Sequence, residues 1–133
     1  MSLECPSIEV ILKNEVLASK KSLQGIYEFS AYYGTASWKT NSHAIWYKPS
    51  FKYWAIGDLK DIGTMVRDIT STANRSDKTP SDVPNDEWHY HDDDVWKKPK
   101  QSGDIIVKCV NSQELLYSKG TIHIYFDSGQ KSK

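Results

Sequence analysis

The chain lacks the features that mark several common classes of protein. No apolar run in it approaches the roughly 18 residues needed to cross a bilayer, so we expect no membrane insertion. Its 17 basic residues balance its 17 acidic ones, whereas a nucleic-acid-binding protein usually carries a basic surplus, so we expect no nucleic-acid partner. Residues 1–6 lack the basic and apolar regions of a signal peptide, so none is visible there.

Sequence signatures of catalysis are also missing. The chain contains no Gly-x-Ser-x-Gly nucleophile elbow, no His-Glu-x-x-His zinc motif, no P-loop and no Gly-x-Gly-x-x-Gly fingerprint. We therefore expect no enzymatic activity, no catalytic residues and no cofactor. An unrecognised hydrolase, with its functional residues scattered along the chain, ranks third among the functional hypotheses.

Cysteine is scarce, with only Cys5 and Cys109 in the chain. Each flanks an alternating, strand-like segment, which favours a disulfide between the first and the penultimate strand and hence an oxidising compartment. The alternative is a pair of unbonded, buried thiols in a cytosolic protein. The sequon Asn74-Arg75-Ser76 lies in a polar stretch, which makes Asn74 a candidate glycosylation site in a secreted protein.

Aromatic residues and period-two patterning dominate the remainder of the chain. Its 133 residues, with five Trp and eight Tyr, suit one domain spanning residues 1–133. The alternation predicts an all-β fold, an antiparallel β-sandwich or small barrel of about 8–10 short strands with little or no helix. The clearest hairpins are predicted at residues 43–56, 87–96 and 114–127, and a buried strand at residues 105–110.

Two segments interrupt the strand pattern. A short helix is predicted over Asn14 to Leu23, with Asn14 as its N-cap. Residues 70–86 are rich in Ser, Thr, Asn, Asp and Pro, with Val83 as the only large apolar side chain, which predicts a long surface loop. Seventeen residues without regular structure are unusual in a compact domain, so this loop is either functional or mobile.

The order of these motifs resembles that of an uncharacterised Trp-rich module of secreted multidomain proteins from invertebrates and single-celled eukaryotes. The resemblance covers residues 5–109, the core module, and leaves the hairpin at 114–127 as an addition. It implies the disulfide and an extracellular or secretory setting, but no ligand. The matching motifs are Cys5, Gly25-Ile26-Tyr27, Trp38-Lys39, Trp54-Ala55-Ile56-Gly57, Trp88-His89-Tyr90, Trp96 and Val107-Lys108-Cys109.

A weak metal-site pattern lies in the second predicted hairpin. His89 and His91 would share one face of a strand, and the neighbouring Asp92 could complete a zinc or calcium site. The favoured alternative is an acidic turn with outward histidines and no metal, because aspartates are typical turn residues.

The aromatic pairs Trp46-Tyr47 and Tyr53-Trp54 provide the main functional hypothesis. Neighbouring strand residues point to opposite faces, so these four side chains cannot all enter one core. We expect Trp46 and Trp54 in the core, and Tyr47, Tyr53 and Tyr33 at the surface as ligand-binding residues. The leading hypothesis is a secreted module that binds a glycan or an extracellular protein through an aromatic sheet face. The alternative is a structural domain of an extracellular assembly with no ligand of its own.

Overall fold

The computed structural model describes residues 5–110, and the hairpin predicted at 114–127 lies outside them. Within that range the chain forms nine strands, one short helix, α1 (Asn14–Lys20), and five single 3-10 turns, at Lys21–Leu23, Leu59–Asp61, Pro80–Asp82, Asn85–Glu87 and Ser102–Asp104. The strands are β1 (Ser7–Leu12), β2 (Gly25–Tyr32), β3 (Thr35–Lys39), β4 (His43–Lys48), β5 (Tyr53–Asp58), β6 (Ile69–Ser71), β7 (Trp88–Asp92), β8 (Val95–Lys97) and β9 (Ile105–Val110).

All nine strands belong to one curled antiparallel sheet in the order β8-β7-β6-β5-β4-β3-β2-β1-β9. From β1 to β8 each strand pairs with the next in the chain, so the sheet is a meander. Only β9 departs from this order, because it returns to pair with β1 along the full length of both strands. The predicted all-β fold is confirmed, and the hairpins at 43–56 and 87–96 form as expected.

The inner face of the sheet carries the main hydrophobic core. Alternate residues of each strand point inward, and they include the largest aromatic side chains of the chain. Complete burial of such a side chain stabilises the fold by about 1.5–3 kcal/mol relative to its exposure to water. The strand residues of this core are Ile8, Val10, Leu12, Tyr27, Trp38, Ile45, Trp54, Ile56, Ile69, Trp88, Tyr90, Ile105 and Val107.

The predicted disulfide is present between Cys5 and Cys109, whose Cα atoms are 5.4 Å apart. Cys5 is buried just before β1, and Cys109 lies on β9 opposite Ile8. The bond therefore joins the first strand of the meander to the strand that returns beside it. It encloses a sequence separation of 104 residues.

Helix α1 adds Val16 to the main core, and the following turn adds Leu23. The prediction of a helix here is confirmed, but the prediction that Asn14 caps it is wrong, because Lys13 holds the N-cap position. The side-chain amide of Asn14 instead donates a hydrogen bond of 2.8 Å to Asp104 Oδ1. Asn14 thereby ties the helix to the turn before β9.

The loop predicted at residues 70–86 forms from residue 72 onward and is largely exposed, but parts of the segment are built into the fold. Thr70 and Ser71 belong to β6, and Pro80 and Val83 are buried. A backbone carbonyl of the segment accepts a hydrogen bond from an aromatic side chain of the β4–β5 hairpin. The donor is Trp54 Nε1, and the acceptor is the carbonyl of Asp77 at 3.3 Å. These contacts anchor a polar stretch against the core, an arrangement that composition alone does not reveal.

Candidate functional site

The outer face of β4 and β5 is covered by residues 59–68, which we call the covering segment. Trp46 points outward here, and its Nε1 donates a hydrogen bond of 3.1 Å to the carbonyl of Thr64. Lys48 Nζ donates to the carbonyl of Gly63, also at 3.1 Å. A Cβ on Gly57 would lie 3.1 Å from Arg67 Cα, so a glycine at this position lets the two backbones approach closely. Beneath the segment lies a second, smaller buried cluster formed by Ala44, Trp46, Tyr53 and Ala55.

Both faces of the β4–β5 hairpin are therefore buried, which changes the expected roles of its aromatic residues. Trp46 and Trp54 are each only 2% exposed, as predicted, but they lie on opposite faces of the sheet. The strand register places Tyr47 opposite Trp54, so half-buried Tyr47 packs against the inner core with a ring centroid distance of 5.1 Å. Its hydroxyl donates a hydrogen bond to the carbonyl of Arg75.

The prediction that Tyr53 lies at the surface is wrong, because its side chain is only 4% exposed. The guanidinium of Arg67 lies over its ring, 4.0 Å from the centroid, and Phe51 stacks beside it at 6.2 Å. Burial raises the pKa of Tyr53, and the positive charge of Arg67 partly opposes that shift. Sequence alternation placed Tyr53 on the outer face, but it gave no sign that the covering segment would lie across that face.

Beside the covering segment is a small cleft of about 140 Å³, which we call the tyrosine cleft. It brings together two of the three predicted ligand-binding residues, Tyr33 and Tyr47, and leaves Tyr53 outside. Tyr33 is 90% exposed at the β2–β3 turn, where Tyr33 and Gly34 both have positive φ angles, 48° and 78°. The cleft is lined by Tyr32, Tyr33, Thr35, Ala36, Ser37, Trp46, Tyr47, Pro49 and Gly63.

Gly63 forms the contact between the covering segment and the tyrosine cleft. A Cβ on this residue would lie 2.7 Å from the ring of Tyr32, and its φ angle of 84° falls in the left-handed region. The ring of Tyr32 in turn meets that of Tyr33 edge-on, with a centroid distance of 4.6 Å. The exposed Tyr33 is thus supported by a ring that itself rests on the covering segment.

A second feature of the outer face is the arginine sandwich, formed by Tyr53, Arg67 and Trp96. The Arg67 guanidinium lies 4.0 Å from the ring centroid of Tyr53 and 4.9 Å from that of Trp96. Its Nη1 donates to the carbonyl of Met65 at 2.8 Å. Burial lowers the pKa of Arg67, because removal from water disfavours the charged form.

Exposed apolar side chains surround the arginine sandwich. Trp96 is 41% exposed, Phe51 47%, Met65 53% and Val66 62%. None of these four was predicted as a ligand-binding residue. For Trp96 the pairing opposite His91 shows that it lies on the outward face of the second hairpin.

The metal-site candidates of the second hairpin have other partners. His91 packs edge-on against Trp96 with a centroid distance of 5.0 Å. Asp92 accepts hydrogen bonds from Lys97 at 3.0 Å and from Ser19 at 3.3 Å, and the Lys97 bond holds the Asp92 pKa below its ordinary value. His89 shares the outward face of β7 with His91. Among residues 5–110, no three His, Cys, Asp or Glu side chains are placed to hold a metal ion.

A wider recess of about 670 Å³ opens beside α1 and carries the lysines that follow the acidic hairpin. Two of those lysines are already paired, Lys97 with Asp92 at 3.0 Å and Lys100 with Glu15 at 3.2 Å. Mixed charge and exposed pairs leave little net attraction for an ion of either sign. The recess is therefore a weaker candidate site than the tyrosine cleft.

Asn74 is exposed, as a glycosylation acceptor must be, and its backbone N–H donates to the carbonyl of Phe51 at 3.3 Å. Its modification stays a prediction.

None of the helices within residues 5–110 is long and apolar enough to cross a membrane. Comparison of the chain with protein-family models, curated proteins and solved structures found no significant match. The resemblance to a Trp-rich secreted module therefore also stays a prediction.

Proposed function

We propose that this protein is a non-enzymatic, extracellular binding module that recognises a glycan at the tyrosine cleft. The observation that carries the proposal is the pairing of a 90% exposed Tyr33 with a cleft whose wall includes Tyr32 and Tyr47. An exposed aromatic ring gains from an apolar ligand face, and the C–H face of a sugar ring supplies one.

The size of the cleft agrees with this kind of ligand. Its volume of about 140 Å³ is below the ~300–1,000 Å³ of pockets that enclose a small molecule. It can accept one end of a larger chain while the remainder extends over the outer face. Hydroxyls of Tyr33 and Thr35, both exposed residues, are available to hydrogen-bond the sugar.

The extracellular assignment rests on the disulfide. Disulfides persist in oxidising compartments and are rare in the cytosol, so the Cys5–Cys109 bond supports secretion. Exposed Asn74, within its sequon, is consistent with the same compartment.

The second candidate function is a structural domain without a ligand. It is favoured by the burial of four of the five tryptophans, Trp38, Trp46, Trp54 and Trp88, each at most 2% exposed. In this hypothesis the aromatic residues serve packing alone.

A glycan array probed with the oxidised, full-length protein tests the proposal. We expect binding that Tyr33→Ala abolishes, because this change removes the exposed ring without disturbing the core. Val95→Ala is the matched control, since Val95 is also exposed, at 51%, but lies on β8 away from the cleft. Binding that survives Tyr33→Ala would place the ligand elsewhere, and an array without any bound glycan would favour the structural domain.

A further inference from the structure

The two arginines of the chain have contrasting electrostatic surroundings. Arg75 pairs with Asp77 at 2.6 Å and lies 3.8 Å from Glu87. Arg67 has no carboxylate within 4.0 Å among residues 5–110, and its neighbour Asp68 pairs with Lys20 at 3.6 Å. The arginine sandwich thus holds a positive charge that the described part of the protein does not neutralise.

Hydrogen-bond donors in the sandwich also lack acceptors. Arg67 Nε and the Tyr53 hydroxyl are buried without a hydrogen-bond partner in residues 5–110. Arg67 uses Nη1 on the carbonyl of Met65, and its Nη2 donates to no described group. Arg67 Nε and the Tyr53 hydroxyl are closed to solvent, so a ligand can reach only the Nη2 side of the guanidinium. A carboxylate suits that side, because it carries negative charge and accepts hydrogen bonds.

The surroundings restrict what can carry the carboxylate. The rings of Tyr53 and Trp96 both contact the guanidinium, at centroid distances of 4.0 Å and 4.9 Å, which reduces the entropy that it loses when it binds a planar partner. Two exposed aromatic rings lie at this place, since Phe51 stacks beside Tyr53 and Trp96 contacts Arg67, so a carboxylate on a body with an apolar face suits it. A uronic acid meets this description, because its carboxylate is attached directly to a sugar ring.

The covering segment connects the arginine sandwich to the tyrosine cleft. Gly63 lines the cleft and Arg67 follows four residues later, so even a fully extended backbone separates the two by only about 14 Å. An oligosaccharide of a few units can therefore reach both places at once.

We infer that the arginine sandwich is an acidic-sugar subsite, in which Arg67 binds the carboxylate of a uronic acid within a glycan that also occupies the tyrosine cleft. The inference rests on the proposed glycan binding and specifies its ligand class. The carboxylate approaches the partly exposed edge of Arg67 that includes Nη2, while Trp96 contacts the sugar ring. Within residues 5–110 no acceptor competes for this edge.

Calorimetric titration of the oxidised, full-length protein tests the subsite. The probes are a neutral oligosaccharide and an otherwise identical one with a single uronic acid. We expect the acidic probe to bind about tenfold more tightly, as for a hydrogen bond to a charged group, with a preference that declines as salt is added. Arg67→Gln should abolish the preference. Arg67→Lys, which keeps the charge but loses the planar stacking, should reduce it.

Lys60→Gln is the matched control, because it removes an equal charge from an exposed position of the same covering segment. Equal affinity for both probes, with binding still dependent on Tyr33, would overturn the subsite and leave the proposed function intact. Loss of the preference in Lys60→Gln would also overturn it, since net charge would then explain the effect. Failure of both probes to bind would refute the glycan proposal and the subsite with it. Equally tight binding of a glutamate-rich peptide would assign the site to a protein partner instead.

Discussion

Replacement of Gly63 by alanine should destabilise the protein through two separable effects. The first is backbone strain, because the φ angle of 84° lies in the left-handed region, where a residue with a Cβ loses about 1–2 kcal/mol. The second is steric, because the new Cβ would lie 2.7 Å from the ring of Tyr32. The atoms met are the far end of the half-buried Tyr32 ring, which can shift, so this cost lies at the lower end of the about 1–3 kcal/mol typical of core overpacking. Together they predict a loss of about 2–3 kcal/mol in the free energy of unfolding.

Two other glycines separate these effects. Gly34 has a similar φ angle of 78°, but a Cβ there meets nothing within 4 Å, so Gly34→Ala measures the backbone strain alone. Gly103 has open space and no positive φ angle, so Gly103→Ala should leave stability nearly unchanged. Urea denaturation of all three variants, monitored by tryptophan fluorescence, gives the comparison.

A double-mutant cycle with Tyr32→Ala completes the test. Removal of the ring should relieve the steric part of the Gly63→Ala effect and leave the strain, so the two changes should not be additive. Gly63→Ala and Gly34→Ala with equal losses, or a strictly additive cycle, would refute the close contact between the covering segment and Tyr32. In that case the wall of the tyrosine cleft would not be formed as described.

Two further predictions concern the core. Replacement of Cys5 and Cys109 together by serine should lower the free energy of unfolding by about 4.7 kcal/mol on the chain-entropy account, given the sequence separation of 104 residues. Free energies of unfolding from urea denaturation that agree within about 1 kcal/mol for the two proteins would contradict it. Burial raises the pKa of Tyr27 well above its ordinary 10.0. Above pH 10 the unfolded state therefore loses the Tyr27 proton while the folded state keeps it. The contribution of Tyr27 to the free energy of unfolding is complete below pH 10 and declines as the pH rises through the alkaline range. Tyr27→Phe should flatten that decline in alkaline denaturation curves, and an unchanged decline would contradict the reasoning.

Particular residues show which parts of the fold sequence reasoning can predict. The alternation in β1, β4, β5 and β9 depends on neighbouring residues, so it predicted the strands and the burial of Trp46 and Trp54. The burial of Tyr53 depends on the covering segment, which follows β5 and folds back across its outer face. That return is a long-range contact without a periodic signature.

For the candidate site, too, the sequence predicted some of the residues and missed others. Tyr33 was predicted among the ligand-binding residues, and it lies beside Gly34 in the β2–β3 turn, where both residues have positive φ angles. The arginine sandwich was not predicted, since Arg67 and Trp96 come from opposite sides of a 28-residue interval that includes β6 and β7. Similarly, Val83 is buried because the polar segment around it is held by hydrogen bonds to buried rings, and no composition rule anticipates such bonds.

The strand order has a consequence for how the chain folds. From β1 to β8 every pairing joins consecutive strands, and the longest connection among them, from β6 to β7, is residues 72–87. The pairing of β1 with β9 has a far larger sequence separation, because Ser7 pairs with Val110. Pairings of large separation form slowly, so we expect this one to be the slow step, and an early Cys5–Cys109 bond would turn it into a local one. Refolding should therefore be faster from the oxidised chain than from the reduced chain, even though the eight-strand meander is the same in both.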